Sequence, residues 1–283
     1  MLILTLVLAV LVGVTLGLLG GGGSILTVPL LVYVAGMETK EAIATSLLVV
    51  GVTSAVGAIS HARAGRVQWR TGLIFGAAAM TGAYVGGRGA EFLPGQWLLI
   101  GFAVMMLATA IAMLRGRKEV DPDKVHTGMP LGRIIVDGVV VGIVTGLVGA
   151  GGGFLVVPAL ALLGGLPMPA AIGTSLVVIA MKSMAGLGGY LASVQIDWAM
   201  AAAVTGAAVL GALMGGPLAG RIRPDSLRRI FGWFVLVMAI AIGAQEAPTL
   251  GWSAVVVAAG AIIIAIVWLS VGRRTSTAKV ASA

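Results

Sequence analysis

The chain has 283 residues, 59% of them hydrophobic and 10% charged, which is more apolar surface than one soluble core can hide. Its net charge of +8 is scattered between apolar runs with no RNA-binding or helix-turn-helix context, which excludes nucleic acid as a partner. With no cysteine, disulfides, thiolate metal sites and cysteine nucleophiles are excluded as well.

These features describe an all-α polytopic membrane protein whose first partner is the lipid bilayer. The first apolar segment covers about 3–19, and no charge occurs from Met1 to Met37. It does not read as a secretory signal, because it lacks a basic n-region and a glycine tract stands where the cleavage site would be. Further segments follow at about 24–35, 42–60, 71–87 and 97–114. After a polar interval come segments at about 134–148, 154–165, 170–189, 199–216 and 229–244, and a last helix at about 252–270. All are expected to be helical, since a chain in lipid must satisfy its backbone internally and the segments lack the alternation of barrel strands. The interval 115–133, with Arg117, Lys118, Asp121, Pro122, Asp123 and Lys124, is the only long polar stretch.

The second half restates the first. The stretch Leu16 to Pro29, LGLLGGGGSILTVP, recurs as Gly146 to Pro158, GLVGAGGGFLVVP, at an offset of 129 residues. At that offset Gly22 falls on Gly151, Gly23 on Gly152 and Pro29 on Pro158, while Thr45-Ser46-Leu47 falls on Thr174-Ser175-Leu176. A unit of this length is too long for a soluble solenoid repeat and suits a transporter half. The expected organisation is a first transmembrane repeat at 1–114, a basic linker at 115–133, a second repeat at 134–245, and an extra helix with its tail at 246–283.

The charges set the orientation. Arg63, Arg66 and Arg70, the linker bases, the cluster Arg221 to Arg229, and the tail with Arg273, Arg274 and Lys279 are expected in the cytoplasm by the positive-inside rule. The basic loop around Arg66 aligns with the base-free loop around Asp197, so equivalent loops are expected on opposite sides and the two repeats have inverted topology. That requires the stretch 134–165 to cross twice or to re-enter. The C-terminus is then expected in the cytoplasm.

Two repeated elements carry the chemistry. A run such as Gly20 to Gly23 cannot sustain a helix, since each Gly costs about 1 kcal/mol relative to Ala. The helix is expected to break there and to restart with Gly23 or Ser24 as N-cap, its unpaired N–H groups open to an anion. The second tract, around Gly151, Gly152 and Gly153, repeats this from the opposite side. The bland alternative is that the glycines only permit close helix packing. The hydroxyls of Thr45, Ser46, Thr174 and Ser175 could donate to an oxyanion, or could bond their own helix. Lys182, opposite Thr53 in the repeat and beside Ser183 (matched by Ser54), lies deep in an apolar segment. There it must face a polar cavity or a partner, with Asp137 the structural candidate. His61, Tyr190 and Asp197 read as interfacial or loop residues.

The paired Gly-x-Gly-Gly-Gly and Pro elements, the Ala/Gly-Thr-Ser-Leu elements and the glycine-rich segments closing each half resemble the sulfite exporter TauE/SafE family over about residues 5–245. By position the resemblance carries over to Gly21, Gly22, Gly23, Pro29, Thr45 and Ser46, and to Gly151, Gly152, Gly153, Pro158, Thr174 and Ser175. It implies a permease of the bacterial-type inner (plasma) membrane exporting sulfite, an organosulfonate or a related sulfur oxyanion; no cofactor is expected. The expected site is Gly21, Gly22, Gly23, Ser24, Thr45, Ser46, Gly151, Gly152, Gly153, Thr174, Ser175 and Lys182, holding a small anion between two helix ends and moving it by alternating access. A passive anion channel is the nearer alternative. An intramembrane enzyme is the remoter one, because no convergent set of acids, His or nucleophile with base is present. Homo-oligomerisation is left open.

Overall fold

The computed structural model describes residues 2–19, 22–114, 131–149, 152–158, 160, 166, 168–218, 232–233 and 235–245. The linker expected at 115–133, except its last residues, and the extra helix and tail expected beyond 246 lie outside the described residues. So do Gly21 and Gly151 and the base cluster from Arg221 to Arg229.

Every regular element among the described residues is helical. They are α1 (Leu2–Leu19), a composite α2, α3 (Thr39–Arg63), α4 (Trp69–Gly89), α5 (Gly95–Leu114), α6 (Leu131–Val148), α7 (Gly153–Pro158), α8 (Met168–Tyr190), α9 (Trp198–Leu218) and α10 (Val235–Gln245). The composite α2 passes from a tight 3-10 turn at Gly22–Leu26 through one α segment, Thr27–Pro29, to a wide π segment, Leu30–Val34. Three of these helices are long and apolar enough to cross a membrane, over Thr39–Arg63, Ala170–Tyr190 and Trp198–Gly215. Their starts follow from local chemistry. Glu41 in the first turn of α3 complements the positive end of that helix. The Asp197 carboxylate caps α9 by accepting from the N–H groups of Ala199 at 3.0 Å and Met200 at 3.1 Å.

The chain divides into two compact units, one of Met1–Leu98 with Lys118–Ser226, the other of Leu99–Arg117 with Leu227–Ala283. The second holds most of α5 together with α10, the fifth segments of the two sequence repeats.

Among the helix pairings of the first unit, which include α4 against α8, three display the repeat directly. In α1 against α9, a Cβ at Gly13 would strike the carbonyl of Ala208, one at Gly211 the carbonyl of Val10, and one at Gly215 the carbonyl of Val14. In α6 against α4, a Cβ at Gly142 would strike the carbonyl of Ala79, one at Gly82 that of Val139, and one at Gly86 that of Ile143. These six contacts are the same three contacts at an offset of 129, and in both pairs the contact register runs parallel. Only residues without a Cβ let two helices approach so closely, which is the small-residue logic of helix packing in lipid. The third pairing, α3 against α8, is antiparallel: Leu47 meets Gly186, Gly51 meets Ser183, Gly57 meets Leu176 and His61 meets Gly173.

Two apolar clusters complete the interior. One joins Ala9, Val12, Leu16, Leu31, Ala42, Val49, Val204 and Ala208; the other joins Val50, Phe75, Ala79, Val156, Leu160, Ala171, Val178 and Ile179. Each combines the first segments of one repeat with the fourth helix of the other. Exposed apolar side chains, such as Val7 and Leu11 on α1 and Val136, Val140 and Val144 on α6, lie three to four residues apart and form stripes suited to lipid.

Candidate functional site

Both glycine tracts sit where a helix ends and the next begins. At the first, α1 ends at Leu19 and α2 starts at Gly22. Ser24, expected as an N-cap, instead lies buried inside the opening 3-10 turn, because glycines accept the tight turn without an external cap. Gly23 is pressed against α1: a Cβ there would lie 2.5 Å from the Leu16 nitrogen and 2.6 Å from Thr15 Oγ1. At the second tract, α6 ends at Val148, and Gly149 and Gly152 take φ of 70° and 58° before α7 starts at Gly153. Residues with a side chain avoid that left-handed region, so these two positions require glycine. A Cβ at Gly152 would strike Thr145, the residue equivalent to Leu16, so the same fold-back is made twice. The Gly22–Leu26 turn, which opens with the last glycines of the first tract, packs against α7, which opens with the last glycine of the second.

Lys182 reaches the second tract. It is 1% exposed, its Nζ donates to Thr145 Oγ1 at 2.7 Å, and it lies 2.9 Å from where a Cβ of Gly152 would stand. Thr145 donates onward to the Val141 carbonyl at 2.7 Å. Thr145 is two turns from Asp137 on the same helix, about 12 Å along the axis at the usual rise. The lysine's partner is thus a neutral hydroxyl rather than the carboxylate considered from the sequence. An ammonium has three donors, and a buried charge satisfied by a single neutral acceptor is costly unless something else completes its shell.

The four expected hydroxyls divide. Ser46 Oγ donates to the Gly149 carbonyl at 3.0 Å and ties α3 to the second tract. Thr45 is buried and its hydroxyl has no hydrogen-bond partner among the described residues. Thr174 Oγ1 accepts from the Gln68 N–H at 2.9 Å, close to the start of α4, and Ser175 Oγ donates to its own helix at Ile172 O, 2.7 Å. The structure places neither of these two on the second tract. Tyr190, expected at an interface, is buried, and its hydroxyl donates to the Leu147 carbonyl, locking the end of α8 to the end of α6. His61 lies in the last turn of α3. No group of acids and histidines that could hold a metal occurs among the described residues.

Sequence reasoning missed Thr145. Its repeat equivalent is Leu16, so a search for duplicated polar residues passes over it; the available signal was a lone hydroxyl just ahead of the glycine tract.

The family model for sulfite exporter TauE/SafE matches residues 5–242. The chain belongs to that family. Among its TauE/SafE relatives, a protein named "Probable membrane transporter protein" from Xylella fastidiosa strain Temecula1 is 36% identical over 235 residues, covering 81% of this chain and 90% of the relative. The "Probable membrane transporter protein YunE" of Bacillus subtilis strain 168 is 28% identical over 272 residues, covering 86% and 96%. The "Probable membrane transporter protein MJ0441" of Methanocaldococcus jannaschii is 30% identical over 200 residues, covering 67% and 73%. No solved structure matches the chain. As a TauE/SafE member, the chain is a membrane transporter and not an enzyme.

Proposed function

We propose that this transporter moves a small anion, sulfite or an organosulfonate or related sulfur oxyanion, bound where the two glycine tracts meet and released to either side by alternating access. The observation that carries the reading is the buried Lys182 ammonium, held by one neutral hydroxyl and set against the Cβ-free backbone of Gly152. A group with two N–H donors unused among the described residues is prepared for an oxyanion, and charge-assisted bonds of that kind are the strong ones. Gly152, lacking a Cβ, leaves the room beside Thr145 that the Lys182 ammonium occupies; Gly21, Gly22, Gly23, Gly151 and Gly153 complete the tracts, and Ser24, Thr45 and Ser46 are the candidate hydroxyls, Ser46 only after releasing the Gly149 carbonyl. Thr174 and Ser175 would serve only after a change of partner.

An inverted pair of repeats gives the reading its mechanism. It is supported by the antiparallel packing of the equivalent helices α3 and α8 and by the glycine contacts of α1 with α9, which recur in α6 with α4 at an offset of 129. Two halves related in this way can rock about a fixed central site. The base distribution then favours a cytoplasmic C-terminus in an inner, plasma-type membrane.

The test is thermal stabilisation of the purified protein by sulfite, sulfate, thiosulfate and organosulfonates, in wild type and Lys182→Met. Wild type should gain stability with at least one of these anions, and Lys182→Met should need roughly tenfold more of it or more. Without anion, Lys182→Met should be at least as stable as wild type, because it removes a buried charge without an ionic partner. A response equal to wild type would refute the role of the lysine, and a wild type indifferent to every oxyanion would refute the anion.

A further inference from the structure

Hydroxyls within these helices have a common habit. Thr53 donates to Val49 O, Thr81 to Ala77 O, Thr109 to Met105 O, Thr145 to Val141 O and Thr205 to Ala201 O, each returning the proton to its own helix. Thr27, Thr45, Ser54 and Ser183 depart from it, and among these only Ser54 and Ser183 are repeat equivalents of each other. Both are buried, at 1% and 0% exposure, and neither hydroxyl has a hydrogen-bond partner among the described residues.

These two serines are repeat equivalents, 129 residues apart, and both lie at the antiparallel crossing of α3 and α8. Ser183 sits against Gly51 with Met184 beside it, and the repeat sets Ser54 in the matching place opposite Ala180. The crossing is thus floored by small residues, with one unsatisfied hydroxyl on each side of its centre. Val50, one turn before Ser54, packs in the same cluster as Val156 of α7, so this part of α3 lies under the second tract helix. Lys182 immediately precedes Ser183 in α8. Leaving one buried hydroxyl unpaired is unfavourable, and leaving two at equivalent positions is doubly so, unless a ligand takes them. The neighbouring ammonium and the lack of any acid at the crossing disfavour a cation as that ligand.

We infer that Ser54 and Ser183 are a symmetric pair of hydroxyl donors that bind the transported oxyanion at the α3–α8 crossing, one residue along α8 from Lys182, whose own side chain turns to Thr145 of α6. The inference rests on the anion reading above. It assigns one donor to each repeat, so that an anion leaving Lys182 towards either side still meets a hydroxyl. A lone charge on one repeat would otherwise hold it asymmetrically.

The experiment titrates purified wild type, Ser54→Ala, Ser183→Ala and the double variant with sulfite and with sodium, reading the melting temperature. Without anion, the serine variants should melt at or above wild type, since alanine removes an unsatisfied hydroxyl. With sulfite, each single variant should need roughly tenfold more anion for the same shift, by similar factors in the two, and the double variant more still. Sulfite responses equal to wild type would overturn the inference and leave the hydroxyls to water. Lower melting of both single variants without anion would overturn it in favour of a structural role. Loss of a sodium-dependent shift alone would assign the pair to a cation and overturn it too. If wild type responds to sulfite and Lys182→Met does not, while the serine variants match wild type, only the serine inference fails; an unresponsive wild type fails both.

Discussion

The arrangement at Gly152 joins two requirements on one residue. Its φ of 58° belongs to the left-handed region, where a side chain costs roughly 1–2 kcal/mol. Any Cβ would also strike Thr145 and stand 2.9 Å from Lys182 Nζ. Gly152→Ala is therefore expected to lower the melting temperature and to abolish stabilisation by sulfite, because the lysine and its hydroxyl partner must both move. A Gly152→Ala protein with wild-type melting and wild-type response would contradict this account of the site. At this scale the sequence was legible where chemistry stood out against its surroundings. Lys182 is a lone charge in an apolar segment, and the tracts are duplicated. It was not legible where partners are chosen by the fold. Thr45 and Thr174 look alike in sequence, yet the Thr174 hydroxyl is occupied by the N–H of Gln68, a contact set by how α4 enters beside α8. Thr145 is passed over by the repeat, because its equivalent is a leucine, and only its place just ahead of the glycine tract marks it.

Among the elements, the parallel pairs α1–α9 and α6–α4 depend on glycine faces that admit the partner's carbonyls. Gly13→Leu and Gly142→Leu should each lower the melting temperature sharply and by comparable amounts, since the two residues make equivalent contacts on Ala208 and Ala79. Gly206 in α9 has nothing within 4 Å of its Cβ position, so Gly206→Ala should be neutral or stabilising by about 0.5–1 kcal/mol through the helix-propensity gain. Thermal melting of the three variants checks this, and equal losses in all of them would contradict it. Hydropathy located the described segments within a few residues, as with 71–87 against Trp69–Gly89 and 170–189 against Met168–Tyr190. It could not foresee the passage of α2 from a 3-10 turn to a π segment. That passage depends on which carbonyl each N–H finds, as in the Ala35 N–H to Leu30 O bond of 3.1 Å, and apolar periodicity is blind to the choice. Pro29 contributes by withholding an N–H in the middle of the segment.

For the whole molecule, the proposed site depends on the elements that follow the two tracts, the Gly22–Leu26 turn and α7, packing together. Each half lends its fourth helix to the other: α9 packs on α1 and α4 on α6. The offset of 129 residues made the duplication visible in the chain, but this exchange of fourth helices was not readable there, because a repeat announces equivalence and not which copy supplies the contact. The charges around Arg66 and Asp197 pointed to opposite faces for equivalent loops, and the antiparallel pairing of α3 with α8 supports the same conclusion independently. Inversion is what would allow a single central site to open alternately to two sides, and the anion mechanism depends on it. Cysteine labelling tests it most directly, since the chain has no cysteine of its own. Ala64→Cys and Ser193→Cys replace exposed, repeat-equivalent residues in the loops after α3 and α8. With a membrane-impermeant maleimide applied to right-side-out and inside-out vesicles, the account predicts that Ala64→Cys labels from the cytoplasmic face and Ser193→Cys from the opposite face. Labelling of both from the same face would contradict it.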